Sequence, residues 1–196
     1  MNRVTFAVLE ILAAAVFLVP IFWLRYRDLR KCVTYCVFSF YLVAVYSLVG
    51  LPTVLYSRFE TKLNLVPFLG MVADWKNCIL NVLLFVPLGI LLPIVWEKYR
   101  AKRNTLLFGL GMSLTIELLQ MFTFRATDIN DIITNVLGTY IGFFLAKVLM
   151  EQVPAVKGVL GEKSAKELYM VCAVVFAVMF FPQPFLSAGL WELFAH

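Results

Sequence analysis

Residues 116–138, IELLQMFTFRATDINDIITNVLG, decide how this chain of 196 residues folds. The surrounding sequence is 62% hydrophobic and only 15% charged. Burying a polar group without a partner costs free energy, so polar groups gathered in an apolar chain are expected to pair with one another. Six polar side chains of this stretch raise the question of why they are gathered in one place: Glu117, Gln120, Arg125, Asp128, Asp131 and Asn135.

The composition of the whole chain indicates a membrane protein. A mean hydropathy of +0.89 and 18 phenylalanines lie far outside the range of soluble domains. We therefore predict an all-α fold, a polytopic transmembrane helical bundle forming one membrane domain over residues 1–196. The net charge of +5 is explained by positive loops beside a membrane, so we expect no nucleic-acid partner.

Six apolar segments are candidate membrane spans, because a helix of about 20 residues crosses a bilayer. The sixth is short and ends at a breaker, Phe181-Pro182-Gln183-Pro184, so the count falls to five if it does not cross. The tail at 185–194 is expected to lie in the membrane interface, and the first span is interpreted as a retained anchor. The spans are approximately 4–24, 32–56, 77–96, 105–122, 128–150 and 168–181.

Basic residues alternate between loops and predict the orientation of the chain. Segments 25–31, 98–103 and 147–166 carry twelve of the seventeen Lys and Arg residues. We expect these segments to be cytoplasmic, which places both termini outside. The loop around Arg125, between spans four and five, then lies on the outer side.

Helical spacing gathers the polar residues of spans four and five on single faces. In span four, Gly109, Ser113, Glu117 and Gln120 are separated by 4, 4 and 3 positions. The face of span five ends in a GxxxG pair, which permits close approach of another helix. This second face consists of Asp128, Asp131, Asn135, Gly138 and Gly142.

Span three begins on the same outer side with Asn77 and Asn81, four positions apart. Three helices are thus expected to bring polar faces together at the outer leaflet, and Glu10 of span one is a candidate to join them. An ionisable group within the hydrocarbon costs roughly 2.5 to 3.5 kcal/mol on insertion scales, so each should face the bundle interior.

Two interpretations of this polar cluster remain open at this point. Asn81, Gln120 and Asn135, taken singly, are typical of interhelical hydrogen bonds, and Asp128 suits a helix N-cap. We expect Glu117, Arg125 and Asp131 to come together, with Asn81 and Asn135 beside them. This combination favours a functional site, because hydrogen bonds between helices rarely need three charged groups.

Four sequence blocks carry a resemblance to a known family. They are NLVPF at 64–68, NVLLFVPLG at 81–89, IELLQ at 116–120 and RATDINDIITNVLG at 125–138. In this order and spacing they resemble the VanZ family, over about residues 60–145. The resemblance implies a multi-pass protein of the bacterial cell membrane. One member of that family confers resistance to teicoplanin, a glycopeptide with a lipid tail.

The residue types of the cluster suggest chemical roles. Arg125 offers a planar fork for a phosphate or carboxylate, and Glu117 either stays protonated or pairs with Arg125. Asp128 and Asp131 either order Arg125 or, with Glu117, bind a divalent cation through oxygen ligands. The cation is the less favoured of these two alternatives, so no metal site is expected, and the single terminal histidine argues against a transition metal. No cofactor is expected, because no Gly-rich phosphate loop occurs.

Two functions of different classes follow. In the preferred one, a non-enzymatic protein binds a lipid, a lipid-linked wall precursor or a lipoglycopeptide through the cluster, with Asn77, Asn81, Gln120 and Asn135 at its edge. In the alternative, an integral-membrane enzyme acts on a lipid or wall-precursor headgroup, with Glu117 or Asp131 as general acid or base. Transport has little support, because no inverted repeat is present.

The predicted orientation is testable by cysteine accessibility in intact cells. A cysteine at position 126 should react with an impermeant maleimide, whereas one at position 101, in a basic loop, should react only after the membrane is opened. Ready labelling at position 101 together with protection at position 126 would contradict the predicted orientation.

Overall fold

A computed structural model describes residues 3–57, 59, 63–64, 66–68, 70–123, 127–157 and 161–194. The predicted all-α fold is confirmed, with one 3-10 turn at Glu97–Arg100 and a parallel pair of two-residue strands, β1 Leu63–Asn64 and β2 Thr127–Asp128. The helices are α1 Arg3–Tyr26, α2 Leu29–Val49, α3 Trp75–Val95, α4 Lys102–Gln120, α5 Ile129–Gln152, α6 Pro154–Lys157, α7 Ala165–Phe180 and α8 Pro182–Phe194.

The backbone forms two compact units. The first comprises Met1–Arg58 with Lys166–His196, and the second comprises Phe59–Ala165. The sequence blocks quoted above from residue 64 onward all belong to the second unit. A single membrane domain over the whole chain stays a prediction.

In the first unit, two residues join α1 and α2 into a helical hairpin. Asp28 begins α2 by accepting hydrogen bonds from the backbone N–H groups of Arg30 and Lys31, which satisfies two donors that a helix start leaves open. The Tyr26 and Tyr35 rings pack 4.9 Å apart at this end of the hairpin. The hairpin therefore follows from an ordinary helix cap and aromatic packing.

The predicted breaker in the same unit is confirmed. Helix α7 ends at Phe180, α8 begins at Pro182, and the two axes differ by 43°. Gln183 and Ser187 of α8 donate hydrogen bonds to the buried carboxylate of Glu10. Glu10 is thus held by α8 within its own unit.

In the second unit, α3 and α5 pack with their backbones in contact. A Cβ added at Gly138 would lie 2.2 Å from the Val82 carbonyl oxygen, and one at Gly142 would lie 2.1 Å from the Val86 carbonyl oxygen. On α3, Gly89 faces the Thr139 carbonyl in the same way, at 2.2 Å. The predicted use of the GxxxG pair for close approach is confirmed, and its partner is α3.

Helix α4 packs on α5 through the face that its spacing predicts. A Cβ at Gly109 would meet the Thr139 side chain at 2.6 Å, and Asn135 Nδ2 donates to Ser113 Oγ at 3.0 Å. Helix α5 therefore contacts both neighbouring helices along its length. The buried α4 residues are Thr105, Gly109, Ser113, Ile116, Glu117 and Gln120.

Four helices of the described residues are long and apolar enough to cross a membrane, and a fifth is added if α7 and α8 form one bent span. These four are α1, α2, α3 and α5. Helix α4 forms where a span is predicted but is not among them, because charged or amide residues occupy both of its ends. The chain is a polytopic α-helical membrane protein.

The α3–α5 contact predicts which glycine tolerates a methyl group. Gly142→Ala drives a Cβ into a backbone oxygen and should lower stability by about 1–3 kcal/mol, as overpacked cores do. Gly111→Ala on α4 meets nothing within 4 Å and should leave stability unchanged or higher, because alanine is the better helix former. Thermal unfolding of both variants in detergent checks this, and equal melting temperatures would contradict the close contact.

Candidate functional site

The site is built around the first turn of α5. Asp128 adopts an extended conformation, with φ −124° and ψ 125°, and its Oδ1 accepts a hydrogen bond from Asn130 N at 2.8 Å. This caps the helix, and the carboxylate lies where the helix dipole favours negative charge. The predicted N-cap role of Asp128 is confirmed.

Glu117 on α4 holds the residues that precede this turn. Its side chain is only 2% exposed, and its Oε2 accepts a hydrogen bond from Asp128 N at 2.9 Å. Thr127 Oγ1 donates to the Glu117 carbonyl oxygen at 3.0 Å. The end of α4 and the start of α5 are thus tied together by one buried carboxylate.

The segment 63–68 attaches to the same turn through backbone and side-chain bonds. Leu63 pairs with Thr127 and Asn64 with Asp128 in the parallel strand pair. Asn64 Nδ2 also donates to Asp128 Oδ2 at 3.0 Å, so Asp128 is engaged through both carboxylate oxygens. This short pairing fixes one end of the segment.

The other end of the segment is fixed by Asn130. Its Oδ1 accepts a hydrogen bond from Phe68 N at 2.7 Å, and its side chain is buried. Phe68 has a φ of 64°, the left-handed region that bulky residues rarely adopt. Such a conformation persists only where its surroundings fix it, and here Asn130 supplies the fixing contact.

Further polar side chains continue along the α4–α5 contact. Asn135 bonds Ser113, and its Oδ1 is buried without a hydrogen-bond partner among the residues that the structure describes. Gln120 is also buried, and its backbone carbonyl accepts from Thr123 Oγ1 at 2.9 Å. The predicted interhelical role is confirmed for Asn135.

The remaining predicted residues occupy different settings. Asp131 is half-buried in the first turn of α5, and its carbonyl accepts from Thr134 Oγ1 at 3.1 Å. Asn77 is exposed and donates to both carboxylate oxygens of Asp74, at 2.8 Å each. Asn81 is half-buried on α3. Arg125 lies outside the described residues, so its meeting with Glu117 and Asp131 stays a prediction.

Sequence reasoning did not assign site roles to Asn64, Thr127 and Asn130, although the quoted family blocks contain all three. The bonds of Asn64 and Asn130 join segments more than sixty positions apart in the chain, and helical periodicity carries no information on such contacts. The signal available was the position of Asn64 as the one polar residue of the otherwise apolar block NLVPF. Among the described residues, no group of three His, Cys, Asp or Glu side chains could hold a metal ion.

The fold and this cluster define a polytopic α-helical membrane protein with a polar network at the start of α5. A family model described as VanZ/LLP1 matches residues 32–150. The chain belongs to the VanZ family.

A named relative supports the same assignment. The chain is 35% identical over 91 residues to Protein VanZ of Enterococcus faecium, a match that covers 46% of this chain and 55% of the relative. The chain therefore spans about half the length of the curated relative it matches. No solved structure matches the chain.

The Glu117 contact predicts a difference between two substitutions. Glu117→Ala leaves the Asp128 N–H without its acceptor and should cost about 1–3 kcal/mol, whereas Glu117→Gln keeps an acceptor oxygen and should cost less. Thr115→Ala is the matched control, because Thr115 is exposed and its hydroxyl donates to the Gly111 carbonyl within α4. Thermal unfolding checks the order, and a Glu117→Ala protein as stable as the control would contradict the contact.

Proposed function

We propose that this chain binds the headgroup of an amphiphile at the outer leaflet through the polar network at the start of α5. The observation that carries the proposal is that hydrogen bonds join three segments at the start of α5. Glu117 of α4 accepts from Asp128 N, Asn64 donates to the Asp128 carboxylate, and Asn130 accepts from Phe68 N. A fixed set of polar groups binds a ligand without having to be ordered first. In this proposal Glu117 is a positioning residue.

Arg125 supplies the recognition of an anionic group. It is two positions before Thr127, whose backbone is paired with Leu63, and the guanidinium offers two parallel donors to a phosphate or carboxylate. Asp131, in the first turn of α5, orients the guanidinium. The Asp128 carboxylate accepts hydrogen bonds from Asn64 Nδ2 and Asn130 N, and it contributes a further polar group to the site.

Apolar side chains near the network suit the tail of the ligand. The Phe59 and Phe122 rings pack 5.4 Å apart, and both residues are exposed. Phe122 follows α4 two residues after Gln120, so an apolar pair adjoins the polar network. A ligand with a charged headgroup and an acyl chain matches both features.

Family membership narrows the class of ligand. The VanZ resemblance implies a link to teicoplanin, whose lipid tail makes it an amphiphile, and the relative in Enterococcus faecium carries the family's name. We propose a role in the bacterial cell envelope, with resistance to lipoglycopeptides as one consequence. In this proposal both termini and the network face outward.

Binding is measured with the full-length protein in phosphatidylcholine nanodiscs, using phosphatidylglycerol and teicoplanin as probes. Arg125→Gln should weaken binding at least about tenfold, which corresponds to about 1.4 kcal/mol, while the melting temperature stays near wild type. Arg125→Lys keeps the charge but loses the fork, so it should restore binding only in part. Arg103→Gln, at the exposed start of α4, is the control and should bind normally.

Normal binding of both probes by a well-folded Arg125→Gln protein would refute the role of Arg125. The same nanodiscs, analysed by mass spectrometry for lipid products, test the enzymatic alternative. Turnover that disappears in Glu117→Gln or Asp131→Asn would show that the function is acid–base catalysis on the headgroup and not binding alone.

A further inference from the structure

The segment that leads into α3, together with the first residue of that helix, exposes large apolar side chains. Phe68 is 69% exposed, Val72 90% and Trp75 55%, with Val66 and Pro67 also exposed. Apolar surface in water is unfavourable by roughly 25 cal/mol per Å². Contiguous exposed patches of this kind mark surfaces that contact a membrane or another molecule.

The conformation of this segment is held rather than free to collapse. Phe68 has a left-handed φ of 64°, which its hydrogen bond to the buried Asn130 maintains, and Gly70 has a φ of 77°. Nothing within 4 Å faces a Cβ built at Gly70, so the chain is open to its surroundings there. The bond to Asn130 thus fixes the backbone from which the exposed Phe68 side chain projects.

We propose that Val66, Phe68, Val72 and Trp75 form an interfacial anchor that inserts into the headgroup and acyl boundary of the bilayer. The argument for a lipid surface is continuity with α3. Trp75 is the first residue of α3, a helix long and apolar enough to span the membrane. Trp at the end of a spanning helix is typical of the membrane–water interface.

The exposed surface of α3 extends this apolar strip. Ile79, Leu80 and Leu83 follow Trp75 on α3 and are also exposed, as residues that contact lipid are. The anchor residues directly precede this strip in the chain, and Trp75 lies one helical turn before Ile79. A bilayer covers such a surface without any further partner.

The charges of the segment indicate which force holds it. Residues 66–76 contain one acid, Asp74, and one base, Lys76, so their net charge is zero. Asp74 is bonded to Asn77, and Lys76 Nζ lies 5.8 Å from the centre of the Trp75 ring. Insertion therefore depends on apolar area rather than on attraction to anionic lipids, and salt should not reverse it.

The anchor also sets the depth of the polar network. Asn130, in the first turn of α5, bonds the backbone of Phe68, so the network and the anchor move together. An anchor in the interface keeps the start of α5 at headgroup level. The anchor stands on these contacts alone and does not require that the network bind a ligand.

Spin labelling of the full-length protein in phosphatidylcholine vesicles tests the anchor. A nitroxide at Val72→Cys, in a background without the four native cysteines, should be more accessible to oxygen than to a water-soluble nickel chelate, at a depth of about 5–10 Å. High salt should leave that ratio unchanged. The control label at Ala101→Cys, in an exposed turn, should favour nickel.

Equal nickel access at positions 72 and 101 would overturn the proposal. Spectra at position 72 that become immobilised as the protein concentration in the membrane rises would also overturn it, because a second copy would then cover the segment. Trp75 gives an independent reading with unlabelled protein. Lipids brominated high on the acyl chain should quench wild-type fluorescence more than that of Trp75→Phe, and equal quenching would again contradict the anchor.

Discussion

The backbone contact between α3 and α5 is the constraint on which the second unit depends. At Gly138 and Gly142 the helices approach so closely that a single added methyl group would overlap a carbonyl oxygen of Val82 or Val86. In a membrane, helices gain little by hiding apolar side chains from lipid, so packing at small residues has to supply the association. This contact fixes the helix whose first turn carries the polar network.

In the proposed function, the polar groups at that first turn serve both structure and ligand binding. Glu117 is buried and used as an acceptor for the Asp128 N–H, which explains why an ionisable residue lies in an apolar helix. Asn135 bonds Ser113 of α4, which confirms the interpretation as interhelical bonding for this residue, while the proposed function assigns ligand binding to Arg125 and Asp131. In the proposed function, the hydrogen bonds of Glu117 and Asn135 fix the geometry with which Arg125 and Asp131 bind the ligand.

Helical periodicity predicted much of this arrangement. The spacing of Gly109, Ser113 and Glu117 gave the buried face of α4, and the GxxxG pair gave the close contact of α5, because both depend on residues of a single helix. The bonds of Asn64 and Asn130 were not predicted, since they join segments separated by more than sixty positions. The apolar centre of α4 predicted a span, but its charged and amide ends leave the whole helix less apolar than the four helices that can cross a membrane.

Hydrogen exchange measures most directly whether the network is one unit. We expect Glu117→Ala, which removes a single acceptor on α4, to accelerate amide exchange at both Asp128 and Phe68 when variant and wild type are compared in the same membranes. The Asp128 amide donates to Glu117, and the Phe68 amide donates to Asn130 in the first turn of α5. Faster exchange at Asp128 with unchanged protection at Phe68 would contradict it, because the segment at 66–68 would then be held independently of the buried carboxylate.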